Sequence, residues 1–109
     1  MTVSLTEPTT VSEMVVYQEG TIVRHSLLKN PGGNVTLFAF AAGQSLSEHT
    51  TPHEALAHVI EGEGVFYLDG RQHKVRRGQL LHLPANVSHA VVAEESFKMI
   101  LTMIKKPNA

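Results

Sequence analysis

What most constrains the fold of this chain is its punctuation: short apolar runs broken by Gly, Pro or Asp-Gly at intervals of roughly 8–12 residues, the rhythm of strands and tight turns. Residues 21–23 open an apolar run that ends at the turn sequence KNPGG, residues 29–33. Residues 34–40 set Val35, Leu37 and Ala39 against Thr36, Phe38 and Phe40, apolar enough on both faces for a buried strand. Residues 55–60 form another run, closed by Glu-Gly-Glu-Gly at 61–64. Residues 65–68 meet Asp69-Gly70, a strong hairpin signal, and 72–75 return to a second turn at Arg77-Gly78. The run 80–83 stops at Pro84, and 97–104 closes the pattern. No segment carries a helical period of useful length.

About nine short strands punctuated in this way predict one all-β domain, a sandwich or barrel of two facing sheets, and not a βαβ fold. A chain of 109 residues has room for a single core without staples, and 42% apolar residues can fill it. The Thr/Ser-rich stretch with Pro8 reads as a loose arm over residues 1–12, with the barrel domain over 13–109. Leu37, Phe66, Leu68, Leu81, Leu83 and Met99 are expected among the inward-facing side chains.

Five of the seven histidines fall into two stretches, 43–62 and 78–90. They are His49, His53 and His58 in the first and His82 and His89 in the second. Imidazole is the commonest protein metal ligand and titrates near neutral pH, so the clustering points to a metal or acid–base site. With no cysteine in the chain, any metal must be held by nitrogen and oxygen. Strand parity ranks the candidates: 55, 57 and 59 share one face, while His58 shares the other with Leu56 and Ile60. His58 reaches a site on the first face only through a one-residue bulge. His53 follows Pro52 in a turn, His82 either lines the cavity mouth or is a hydrogen-bonded strand histidine, and Glu54 is a fallback ligand or a residue that orients one.

The same two stretches resemble the paired motifs of the cupin superfamily. Gly43, His49 and Gly62 fall in register with the first motif, and Gly78, Pro84 and His89 with the second. Thr51 stands at the first motif's second His and Ala55 at its Glu, while Asn86 and Ala93 replace a Gly and an Asn of the second. The resemblance covers roughly residues 34–102. It implies a double-stranded β-helix, or jelly-roll barrel, in which first-motif His, His and Glu and second-motif His meet one divalent ion. Here only His49 and His89 keep family positions, and His53 or His58 is expected to complete the set across the barrel mouth. An imidazole-rich site of this kind favours zinc, nickel, iron or copper over magnesium or calcium.

The resemblance therefore implies a small metal-binding cupin that handles a small molecule in its barrel, with metal-dependent oxygenase and isomerase as candidate reactions. The alternative is a non-catalytic binding or sensing module with a degenerate, metal-free site. A storage role is the weakest reading, because storage-type relatives are long and two-domained. A net charge of −1 with no basic stripe argues against nucleic acid, and no apolar stretch reaches the ~20 residues needed to cross a bilayer. The N-terminus has neither a basic start nor an apolar run, so a cytoplasmic protein is expected. A homodimer is expected too: open sheets need their edges covered, residues 14–17 read as a short apolar strand suited to crossing onto a neighbour, and 99–104 is apolar on both faces, more than one barrel wall requires.

Overall fold

Strands of four to nine residues joined by tight turns pair antiparallel, because a parallel partner needs a long crossover that this chain does not supply. The computed structural model describes residues 5–107. After a 3-10 turn at Val11–Glu13 come β1 (Ile22–Asn30), β2 (Gly33–Phe40), β3 (Ser45–His49), β4 (Glu54–Glu61) and β5 (Glu63–Leu68). The chain continues as β6 (Arg71–Arg76), β7 (Leu80–Leu83), β8 (His89–Val92) and β9 (Phe97–Ile104). They form a five-stranded sheet, β1-β2-β9-β4-β7, facing a four-stranded sheet, β3-β8-β5-β6. These are the two facing sheets expected from the punctuation, in the double-stranded β-helix that the resemblance implies. Asp69 and Gly70 both take positive φ, 51° and 79°, as a two-residue hairpin turn of primed type requires. That turn sets Leu68 opposite Arg71 and so fixes the β5–β6 register.

The barrel interior is an aromatic stack. Phe40 and Phe97 lie face to face with centroids 4.7 Å apart, Phe38 flanks Phe40 at 5.8 Å, and Phe66 meets Phe97 edge-on at 6.2 Å. Gly64, on β5, leaves the space that the Phe97 ring fills. Ala55, Ala57 and Val59 from β4, Leu83, Val91 and Met99 close around the stack. Burying each ring contributes roughly 1.5–3 kcal/mol. Phe66, Leu83 and Met99 face inward as expected, and Leu68 and Leu81 pack against the same cluster while only partly buried.

Leu37 does not face inward. Because Phe38 and Phe40 take the barrel face of β2, Leu37 and Ala39 point to the outer face, where Val15 packs over them with Val11, Met14 and Tyr17 beside it. Residues 14–17, expected as a strand reaching a neighbour, form no strand and cover their own sheet. A polar clasp holds this segment down. Buried Lys98 donates to the Ser12 carbonyl at 2.7 Å, lies 3.4 Å from the Glu61 carboxylate and sits 5.0 Å over the Tyr17 ring. The Tyr17 hydroxyl donates to Glu61 at 2.5 Å. Burial, then the Glu61 hydrogen bond, raises the Tyr17 pKa, and the same hydrogen bond holds Glu61 below the usual carboxylate range. No described helix is long and apolar enough to cross a membrane.

Candidate functional site

Two strands of the smaller sheet build the site through an irregularity. In a flat strand Leu46 and His49 would point to opposite faces, being three residues apart. The β3–β8 register instead pairs Leu46 with Val91 and His49 with His89, so three steps on β3 match two on β8. The extra residue is a β-bulge. It turns Leu46 onto the barrel cluster and also brings His49 beside His89, which lies on the same barrel face of β8 as Val91. The two imidazoles meet edge to face with centroids 4.3 Å apart. They are therefore neighbours on adjacent strands, not partners facing each other across the barrel mouth.

Local hydrogen bonds fix both tautomers. His49 Nδ1 donates to the Ser47 carbonyl at 2.8 Å, and His89 Nδ1 donates to the Val87 carbonyl at 3.2 Å. A carbonyl can only accept, so in each neutral ring the proton sits on Nδ1 and Nε2 keeps its lone pair. His89 is 6% exposed, and burial pushes its pKa below the usual value; the Val87 hydrogen bond opposes this and His49 adds to it. A neutral ring of this tautomer has one Nε2 lone pair to give, either to a hydrogen-bond donor or to a metal ion.

The remaining sequence candidates lie apart from this pair. His53 sits in the β3–β4 connection, where its Nδ1 accepts the Lys106 backbone N–H at 2.9 Å. His58 is on the outer face of the larger sheet with Leu56, because Ala55, Ala57 and Val59 take the barrel face. A register shift in β4 does exist, but it falls between Val59 and Glu61, beyond His58. Glu54 is engaged on that outer face too, 2.6 Å from His82 Nε2, a contact that lowers the Glu54 pKa. Thr51 spends its carbonyl on the Asn86 N–H at 2.7 Å and its hydroxyl on the His53 N–H at 3.2 Å. Among the described residues no three His, Asp or Glu side chains come close enough to hold one ion. A metal at this mouth thus fits two imidazoles, one fewer than the three protein ligands of an ordinary catalytic site.

One side chain on the barrel face of β1 has no counterpart in the sequence reading. Arg24 pairs with Phe38 across β1 and β2, and its guanidinium lies 5.5 Å over that ring, which puts a cation on the barrel face of β1. The signal was present in the alternation from Ile22, which packs on the barrel core, to Arg24 two residues on.

Comparison with known proteins agrees with the geometry. A family model described as a cupin domain matches residues 36–105. A conserved protein of unknown function from Streptococcus pyogenes superposes with a TM-score of 0.90 at 24% identity, over 98% of this chain and 93% of that one. A cupin superfamily protein from Desulfitobacterium hafniense gives 0.89 at 23% identity, over 95% of each chain. These two likenesses speak for the fold alone. A cupin 2 conserved barrel domain protein from Leptotrichia buccalis is 45% identical with a TM-score of 0.83, covering 86% of this chain and 46% of that one. This chain thus spans less than half of that protein. A search of curated proteins found no match.

Proposed function

The chain belongs to the cupin superfamily, and from that premise we propose that it is a small-molecule binding or sensing cupin, its barrel mouth reading a ligand through His49 and His89. The carrying observation is the tautomer of the pair: both Nδ1–H groups are spent on the chain's own carbonyls, leaving an Nε2 lone pair on each of two rings whose centroids lie 4.3 Å apart. Two acceptors of this kind complement a ligand that presents hydroxyl or amine hydrogens. The depressed pKa of His89 keeps that ring neutral, and so an acceptor, at neutral pH. Thr51 and Ala55 stand at the positions where the family places a His and a Glu, and among the described residues no third His, Asp or Glu joins the pair closely enough to hold an ion with it.

The second reading, a metal-dependent oxygenase or isomerase, draws on the same nitrogens, since a free Nε2 is also what imidazole gives a metal. His49 and His89 would hold the ion, which would act there as a Lewis acid. Dialysis against zinc, nickel, copper or ferrous iron followed by metal analysis separates the two. The binding reading expects far less than one ion per chain after mild dialysis. One retained ion per chain, lost in both His49→Ala and His89→Ala, would overturn it in favour of the metalloenzyme.

A further inference from the structure

Arg24 carries a guanidinium with no carboxylate beside it. None of the ion pairs among the described residues includes it, and it lies instead 5.5 Å over the ring of Phe38, a residue only 6% exposed. We propose that the barrel mouth takes a small hydroxycarboxylic acid, whose carboxylate Arg24 binds while the His49 and His89 pair accepts from its hydroxyl. This rests on the reading of the mouth as a small-molecule site and names the class of molecule it takes.

Strand order puts both anchors on one side of the barrel. Across the interior β9 meets β5 and β4 meets β6, so the orders β1-β2-β9-β4-β7 and β3-β8-β5-β6 run alongside each other. That leaves β1 and β2 over β3 and β8, with β1 and β3 both edge strands. The direction along the strands agrees. Asn30 pairs with Gly33, Gly33 with Ile104 and Ile104 with Glu54, which opens the strand after β3, so the Asn30 end of β1 lies at the His49 end of β3. On β1, Ile22 packs on the barrel cluster, and Arg24 is the next barrel-face residue toward that end. On β3, Leu46 packs on the same cluster, and the bulge makes His49 the next. Arg24 and His49 are both exposed, and Ser26 and Thr36, paired beyond Arg24, continue the polar face by parity.

The two anchors ask for opposite chemistry. A guanidinium only donates, through a planar fork that matches a carboxylate. The two imidazoles, their Nδ1–H groups spent on Ser47 and Val87, accept at Nε2. A molecule that satisfies both accepts at one end and donates at the other. One guanidinium balances the single charge of a carboxylate, whereas a phosphate ester carries nearly two at neutral pH. Beneath the anchors Ile22, Phe38 and Leu46 form an apolar floor, which suits a short carbon skeleton between the two polar groups.

Titration of the full chain with lactate, mandelate, their methyl esters and inorganic phosphate, read on the histidine ring resonances in NMR, tests the assignment. At least one of the two acids should shift His49 and His89 and bind at least about 10-fold more tightly than its own ester. Phosphate should not displace it. Arg24→Leu should abolish that preference for acid over ester, with ester binding and circular dichroism unchanged, and Arg24→Lys should restore part of it. Arg77→Leu, in the turn after β6, removes the same charge from the chain and should keep the preference. Esters that bind as tightly as the acids, a preference that survives Arg24→Leu, or displacement by phosphate would each overturn the carboxylate site and leave the small-molecule reading standing. Histidine resonances that neither acids nor esters move would overturn both.

Discussion

Gly64→Ala should destabilise the protein, and the structure sets the size of the loss. A Cβ built there falls 2.7 and 2.8 Å from two Phe97 ring carbons and 2.9 Å from a Phe66 ring carbon. Carbon atoms prefer about 3.5–4.0 Å, so at least one ring must retreat by roughly 0.7 Å or more. Neither has room: Phe66 and Phe97 are both fully buried, and Phe97 is stacked on Phe40 at 4.7 Å. Overpacking of this kind costs about 1–3 kcal/mol, and three close contacts put Gly64→Ala in the upper half. Gly64 has no left-handed φ to strain, so the methyl also gains about 0.4–1 kcal/mol by restricting the unfolded chain. The net loss is then about 1–2.5 kcal/mol. Urea unfolding followed by circular dichroism measures it. Phe97→Leu removes the colliding ring edge, so the double variant should be more stable than the two single losses sum to, by about 1 kcal/mol. A Gly64→Ala protein as stable as wild type, or a cycle additive within about 0.5 kcal/mol, would refute the steric account.

Two further outcomes follow from titrating groups. His89 has a folded pKa below the usual 6.5, so as pH falls the unfolded chain takes up this proton first. Its contribution is constant above about 6.5 and is lost as pH drops from there toward the depressed folded value; urea midpoints across that range should fall with pH, and His89→Leu should flatten the slope. Tyr17→Phe deletes the hydroxyl that donates to Glu61, with an expected loss of about 1–2 kcal/mol and faster amide exchange confined to residues 11–17. Wild-type protein, with that hydroxyl in place, should show no tyrosinate absorbance from Tyr17 at its usual pKa of 10.0, and a normal titration there would contradict the clasp.

Local chemistry alone wrote much of the fold. Asp69-Gly70 demanded a primed turn, Pro84 had to end β7, and the runs 80–83 and 97–104 became strands with those bounds. Alternation also placed Ala55, Ala57 and Val59 on the barrel side and left His58 outside, because side-chain facing within one regular strand depends only on parity. The paired motifs singled out His49 and His89, whose rings do meet. What parity could not decide was anything that depends on a partner strand. The bulge that brings His49 beside His89 exists only in the register between β3 and β8, and nothing in Ser45–His49 itself marks where the extra residue goes. β2 is apolar on both faces, so only the arrival of Val15 and its neighbours determined that Leu37 would be buried outside the barrel and Phe38 inside. His53 accepts the backbone N–H of Lys106, 53 positions away in sequence, a partner that no pattern local to His53 could indicate. Sequence fixes which faces a strand can offer; the fold decides what meets them, since a side chain's neighbours come from segments that local patterns do not connect.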